Sequence, residues 1–144
     1  MTDFTALIAK LEAWSRETAT FHGDQQLSDE LLIAAGWRCE PEPAFEGGVR
    51  WYVKMGIAQY STGERSRPHP LFNVADAIAL VPHDATLQIL RFKSGVRADI
   101  LTPRYMVRGT IDDPREMAVA ICRAVAQALA AQELVNSTVK AAGA

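Results

Sequence analysis

Thr86-Leu87-Gln88-Ile89-Leu90-Arg91-Phe92-Lys93, Ser94-Gly95, Val96-Arg97-Ala98-Asp99-Ile100-Leu101, then Thr102-Pro103-Arg104 and Tyr105-Met106-Val107-Arg108-Gly109-Thr110-Ile111: this stretch decides the fold. The runs Thr86–Lys93, Val96–Leu101 and Tyr105–Ile111 have the length and side-chain type of strands, and small or proline-containing turns separate them. Connections this short cannot hold a parallel crossover, which needs a dozen or more residues. The sheet is therefore predicted to be antiparallel, with Ser94-Gly95 as a hairpin turn.

Working outward, Asn73 reads as the N-cap of a short helix over Val74–Val81, with Asp76 placed to return a hydrogen bond and Pro82 closing it. Upstream, Val49-Arg50-Trp51-Tyr52-Val53-Lys54-Met55 alternates strictly, the pattern of a strand with one apolar and one wet face. The segments Glu40–Gly48 and Tyr60–Phe72 read as loops, since proline, glycine and serine crowd them. Phe4, Leu7, Ile8, Leu11 and Trp14 keep helical spacing behind an Asp3 cap. Thr18–Gln26 is polar and reads as a connection. A second helix is expected over Leu27–Ala35, stopped by Gly36. Downstream, Asp112 or Asp113 with Pro114 opens a last helix carrying Met117, Ile121, Val125, Ala128 and Leu129 as far as Leu134.

The expected order is helix, helix, strand, helix, three strands, helix. That is a single α+β domain over residues 1–134, of about four helices and four strands in a mainly antiparallel sheet. Residues 135–144 are expected to fray. With 144 residues, 49% of them hydrophobic and 22% charged, the chain can fold around its own core without a metal or disulfide staple. Met1-Thr2-Asp3-Phe4 lacks the basic-then-apolar order of a signal peptide, and no apolar run reaches membrane-span length. A cytoplasmic location is the expectation. Cys39 and Cys122 then default to free thiols, Cys122 as a small core hydrophobe.

Charge is unevenly placed. Residues 1–48 hold three basic groups against nine acidic ones; residues 49–108 hold nine against four, so −6 faces +5 within a chain of net −2. Either the two segments lie against each other in the fold, or the middle one presents a basic surface to an anionic partner. Arg50, Tyr52 and Lys54 share one side of their strand. If Arg91, Lys93, Arg97, Arg104 and Arg108 gather with them, the result is a basic face containing an aromatic ring. Such a face suits nucleic acid, or the acidic segment of a second copy in a homodimer. A merely solvated face has the same composition.

Arg65 and Arg67, in Ser61-Thr62-Gly63-Glu64-Arg65-Ser66-Arg67 with His69 close by, are the candidate ligands for a nucleotide-like or phosphorylated molecule, because guanidinium groups bind phosphate bidentately. Neither standard glycine-rich phosphate loop occurs. His22, His69 and His83 are scattered and lack metal-ligand spacing, so no metal or cofactor is expected. No Gly-x-Ser-x-Gly elbow is present, and no nucleophile, base and orienter can be named together. Asp29-Glu30 and Asp112-Asp113 are read as helix-start carboxylates that meet exposed amides.

Four stretches together resemble the phage α–β–α sandwich domain family of small bacteriophage and prophage proteins. They are Leu7-Ile8-Ala9-Lys10-Leu11-Glu12-Ala13, Asp29 to Trp37 ending Ala34-Ala35-Gly36-Trp37, Asn73-Val74-Ala75-Asp76-Ala77-Ile78-Ala79-Leu80-Val81-Pro82, and Ala118-Val119-Ala120-Ile121-Cys122-Arg123-Ala124. The resemblance spans residues 4–132. It implies a compact layered domain with no established activity and no catalytic residues to carry over. The expectation it adds is a phage accessory protein, non-enzymatic, binding another copy of itself or another phage or host protein.

Overall fold

The computed structural model describes residues 3–41, 49–55, 58–62 and 68–143; the side chains of residues 39–67 lie outside that description. The elements are α1 (Phe4–Ala13), α2 (Phe21–Ala34), β1 (Trp37–Pro41), β2 (Val49–Met55), β3 (Ala58–Thr62), α3 (Val74–Ile78), β4 (Thr86–Phe92), β5 (Gly95–Leu101), β6 (Met106–Ile111) and α4 (Met117–Ala142). The fold is α+β, and every strand pairing is antiparallel.

The expected strands are all present, and two more join them. Glu40 and Pro41 belong to β1, and Tyr60–Thr62 to β3, although their composition predicts loops. A proline can end an edge strand because it surrenders a donor that no neighbour needs. The six strands form two sheets, β1-β2-β3 and β4-β5-β6, rather than one.

The helices begin and end where their caps place them. Asp3 Oδ1 accepts from the Ala6 amide at 3.1 Å, opening α1 as expected. α2 starts a turn and a half before Leu27, because Thr20 Oγ1 accepts from the Gly23 amide at 3.0 Å. Asp29 and Glu30 therefore sit inside α2 and not at its start; Glu30 instead pairs with Lys10 at 2.9 Å. Gly36, at φ 95°, makes the left-handed stop that reverses the chain into β1. Asn73 caps α3 by accepting from the Asp76 amide. Asp76 does not return that bond; its carboxylate accepts from the His69 amide at 3.0 Å.

α4 opens three residues after Pro114. Asp113 accepts from the Arg115 amide and guanidinium instead of capping the helix. That guanidinium holds the Asp113 carboxyl well below the usual carboxylate range. The helix also continues past Leu134 to Ala142, so the expected frayed tail is helical and exposed.

α4 is the centre of the molecule. Ala118 through Ala126 are all buried, on every side of the helix. Such all-round burial needs small residues where backbones meet. One side packs on β5 and β6, the other on α1 and α3. At Gly109 of β6, an added Cβ would collide with the Ala120 carbonyl and the Ala124 amide. Only glycine allows this approach. By length and composition α4 could cross a membrane, yet 56% of its most apolar window is buried inside the protein.

Candidate interaction surface

The two faces of the second sheet follow from its register. Val96, Ala98 and Ile100 of β5 are fully covered and face α4. They pair with Arg91, Ile89 and Leu87 of β4 and with Ile111, Gly109 and Val107 of β6, so those residues share the helix-facing side. The opposite side carries Thr86, Gln88, Leu90 and Phe92, then Arg97, Asp99 and Leu101, then Met106, Arg108 and Thr110. No described helix covers it. Leu90, Phe92 and Met106 are 42%, 50% and 56% exposed there.

Asp99 is the electrostatic centre of the open side. Although no helix lies over it, it is nearly buried, because two guanidinium groups fold across it. Arg108, its direct cross-strand neighbour, donates from Nε at 2.8 Å; Arg97, two residues back on the same strand, holds Nε 3.5 Å from the second oxygen. Accepting that hydrogen bond, Asp99 raises the Arg108 pKa above its ordinary value. One carboxylate thus occupies two of the arginines expected to form a basic face.

The other members are dispersed. Arg91 is exposed, but its register position puts it on the helix-facing side. Lys93 occupies the β4–β5 turn, which is Lys93-Ser94 and not Ser94-Gly95. Arg104 lies in the β5–β6 turn at the other end of the strands. There the Thr102 hydroxyl accepts from the amides of Arg104 and Tyr105. Seven-residue strands separate these two turns by roughly 20 Å. Arg50, Tyr52 and Lys54 take alternate positions of β2, in the other sheet, opposite Glu40, Arg38 and Gln59. The described geometry joins Arg97 and Arg108, and through Asp99.

Arg65 and Arg67 lie outside the described residues. His69 is half-buried between Phe21 and Phe72, with ring centroids 6.2 and 6.1 Å away. The two phenyl rings are nearly parallel and 6.5 Å apart. Phe21 and Phe72 are strongly exposed, at the rim of an open cleft of about 360 Å³ shared with Trp14, Arg16 and Glu116. Sequence reading placed Phe21 and Phe72 in polar connections. An isolated phenylalanine at a helix start carries no periodic signal, so nothing marked them as a pair.

Reactive groups elsewhere have structural work. Cys122 is buried, donates its S–H to the Pro70 carbonyl at 3.2 Å, and burial pushes its thiol well above the ordinary range. Arg123 is buried in α4 and donates to the carbonyls of Leu11, Glu12, Trp14 and Thr110 at 2.6–3.2 Å. It helps to terminate α1, adding a donor to the Leu11 carbonyl that the Trp14 amide also serves and reaching the carbonyls of Glu12 and Trp14 beyond it. Glu116 pairs with Arg16. Among the described residues, no three His, Cys, Asp or Glu side chains gather as metal ligands.

No family model, curated protein or solved structure matches the chain.

Proposed function

We propose that this protein is a non-enzymatic interaction module whose working surface is the open side of the second sheet. We further propose that it is an accessory protein of a phage or prophage, acting in the host cytoplasm. One observation carries the first part: on that side Asp99 pairs with both Arg97 and Arg108, leaving a net charge of only one, while Leu90, Phe92 and Met106 stand exposed. A face built to hold phosphates leaves its guanidinium groups unpaired and aimed outward. Here Asp99 takes both. Exposed apolar side chains around a satisfied polar centre match the make-up of a protein-binding patch. The likeness of residues 4–132 to the phage sandwich family supports the second part.

Two measurements test the reading. Nile red, a neutral apolar dye, is expected to brighten with the native protein and much less with a Phe92→Lys, Met106→Lys double variant. Short DNA and RNA, titrated across salt, and a thermal-shift panel of nucleotides and phosphorylated metabolites are expected to give flat responses. Salt-dependent nucleic-acid binding, or a melting point raised by a phosphorylated ligand, would return the function to the basic residues.

A further inference from the structure

β4 has the sequence of a central strand and the position of an edge strand. Thr86-Leu87-Gln88-Ile89-Leu90-Arg91-Phe92 carries apolar residues on both faces: Leu87 and Ile89 toward the core, Leu90 and Phe92 on the open side. The sheet order is β4-β5-β6, and among the described residues no strand pairs with the far edge of β4. A long edge strand with exposed apolar residues is a template for pairing with another chain. Most of the usual guards of an edge are missing too. β4 has no proline and no lysine, and its seven residues pair with β5 without a bulge; its one inward-side charge, Arg91, lies next to the strand's end and is exposed.

We infer that β4 is a self-pairing strand: two copies of this chain join their β4 edges antiparallel, about a twofold axis through Ile89, into one six-stranded sheet. This rests on the proposed reading of the second sheet as the working surface and names the partner as a second copy. The register follows from parity. Side chains alternate between faces, so the apolar inner residues of one copy meet those of the other only if the axis passes through a residue. An axis between two residues would set Ile89 against the open side. Ile89 is the midpoint of Thr86–Phe92, and an axis there overlaps all seven residues.

The pairs this creates are Ile89 with its own copy, Leu87 with Arg91, Gln88 with Leu90, and Thr86 with Phe92. No like charges meet. The two Arg91 groups, carrying the strand's one charge, stand about 14 Å apart, four residues along the ladder. Each lays its aliphatic stem beside the other copy's Leu87. A twofold pairing also closes on itself, whereas β4 added to the β6 edge of another copy would extend without end.

The test needs the wild-type mass and a cysteine scan. Light scattering of the unaltered chain is expected to give about twice 15.8 kDa. In a Cys39→Ser background, Ile89→Cys is expected to form a covalent dimer rapidly on mild oxidation, since directly opposed Cα atoms lie about 4.5–5.5 Å apart, within disulfide reach. Leu87→Cys alone and Arg91→Cys alone should stay monomeric in denaturing gels, while their mixture cross-links. A monomeric wild-type mass at every concentration overturns the self-pairing, as does a dimer trapped faster by Met106→Cys than by Ile89→Cys. Either result leaves the dye measurement, and the reading of the open side, to stand or fall separately.

Discussion

The helix-facing and open sides of the second sheet are made by the same three strands, and they differ in what the alternate residues do. Toward α4, residues shrink where backbones approach: Ala98 and Gly109 sit opposite one another beneath Ala120 and Ala124. Away from α4, Asp99 and Arg108 are opposite one another, and leucine, phenylalanine and methionine stand in solvent at the ends. An arginine organises each side. Arg123 reaches backbone carbonyls of α1 and β6 from within the core; Arg108 reaches one carboxylate on the surface. The first joins three elements, and the second joins two strands already paired. Stability is therefore concentrated on one side of the sheet, leaving the other available for association.

Substitutions can break or sharpen this contrast. Arg123→Met should have the largest effect, about 3–5 kcal/mol of lost stability, because carbonyls at the end of α1 and in β6 together lose one charged donor that serves all of them. Urea denaturation would measure it, and a loss under 1 kcal/mol would remove Arg123 from the centre of the fold. Gly109→Ala follows, costing about 1–3 kcal/mol through overpacking against the α4 backbone. On the open side, Asp99→Asn should cost only about 1 kcal/mol, since Arg97 and Arg108 regain water when released. Leu90→Lys should change monomer stability by less than about 0.5 kcal/mol while weakening self-association. A large stability loss from Leu90→Lys would mean that the open side is covered within the monomer.

The smallest effect belongs to Asp113. Its carboxyl titrates lower in the folded chain than in the unfolded one, so its contribution is present above about pH 4 and fades as pH falls further. The pair lies at the surface, with Arg115 exposed and Asp113 partly covered. Asp113→Asn should accordingly leave the acid limb of the pH–stability curve nearly unchanged.

Much of the closed side was legible in the sequence, and little of the open side. Short connections around Gly95 and Pro103 dictate antiparallel strands, and the apolar rhythm of α1 and α4 identifies core helices. The start of α2 was hidden because His22-Gly23-Asp24-Gln25-Gln26 has no apolar face. That turn is held by the Thr20 cap and by Asp24, which accepts from Trp14 Nε1 at 2.8 Å. β3 was hidden by the proline-rich segment after it. On the open side, the positions of Arg97, Asp99 and Arg108 on their strands were readable, but their meeting depends on the β5–β6 register. That register is set by the Thr102–Tyr105 turn and not by any local pattern. The division of the strands into two sheets, which separates Arg50 and Lys54 from Arg97, likewise depends on pairings distant in sequence.

Amide hydrogen exchange along β4 in the unaltered protein tests the central claim most directly. In an antiparallel ladder, alternate amides of a strand point to opposite neighbours. Paired copies predict slow exchange at every residue from Leu87 to Arg91, with every second amide losing protection on dilution. Rapid exchange at every second amide, unchanged across concentration, would show that β4 ends the sheet and would contradict the account.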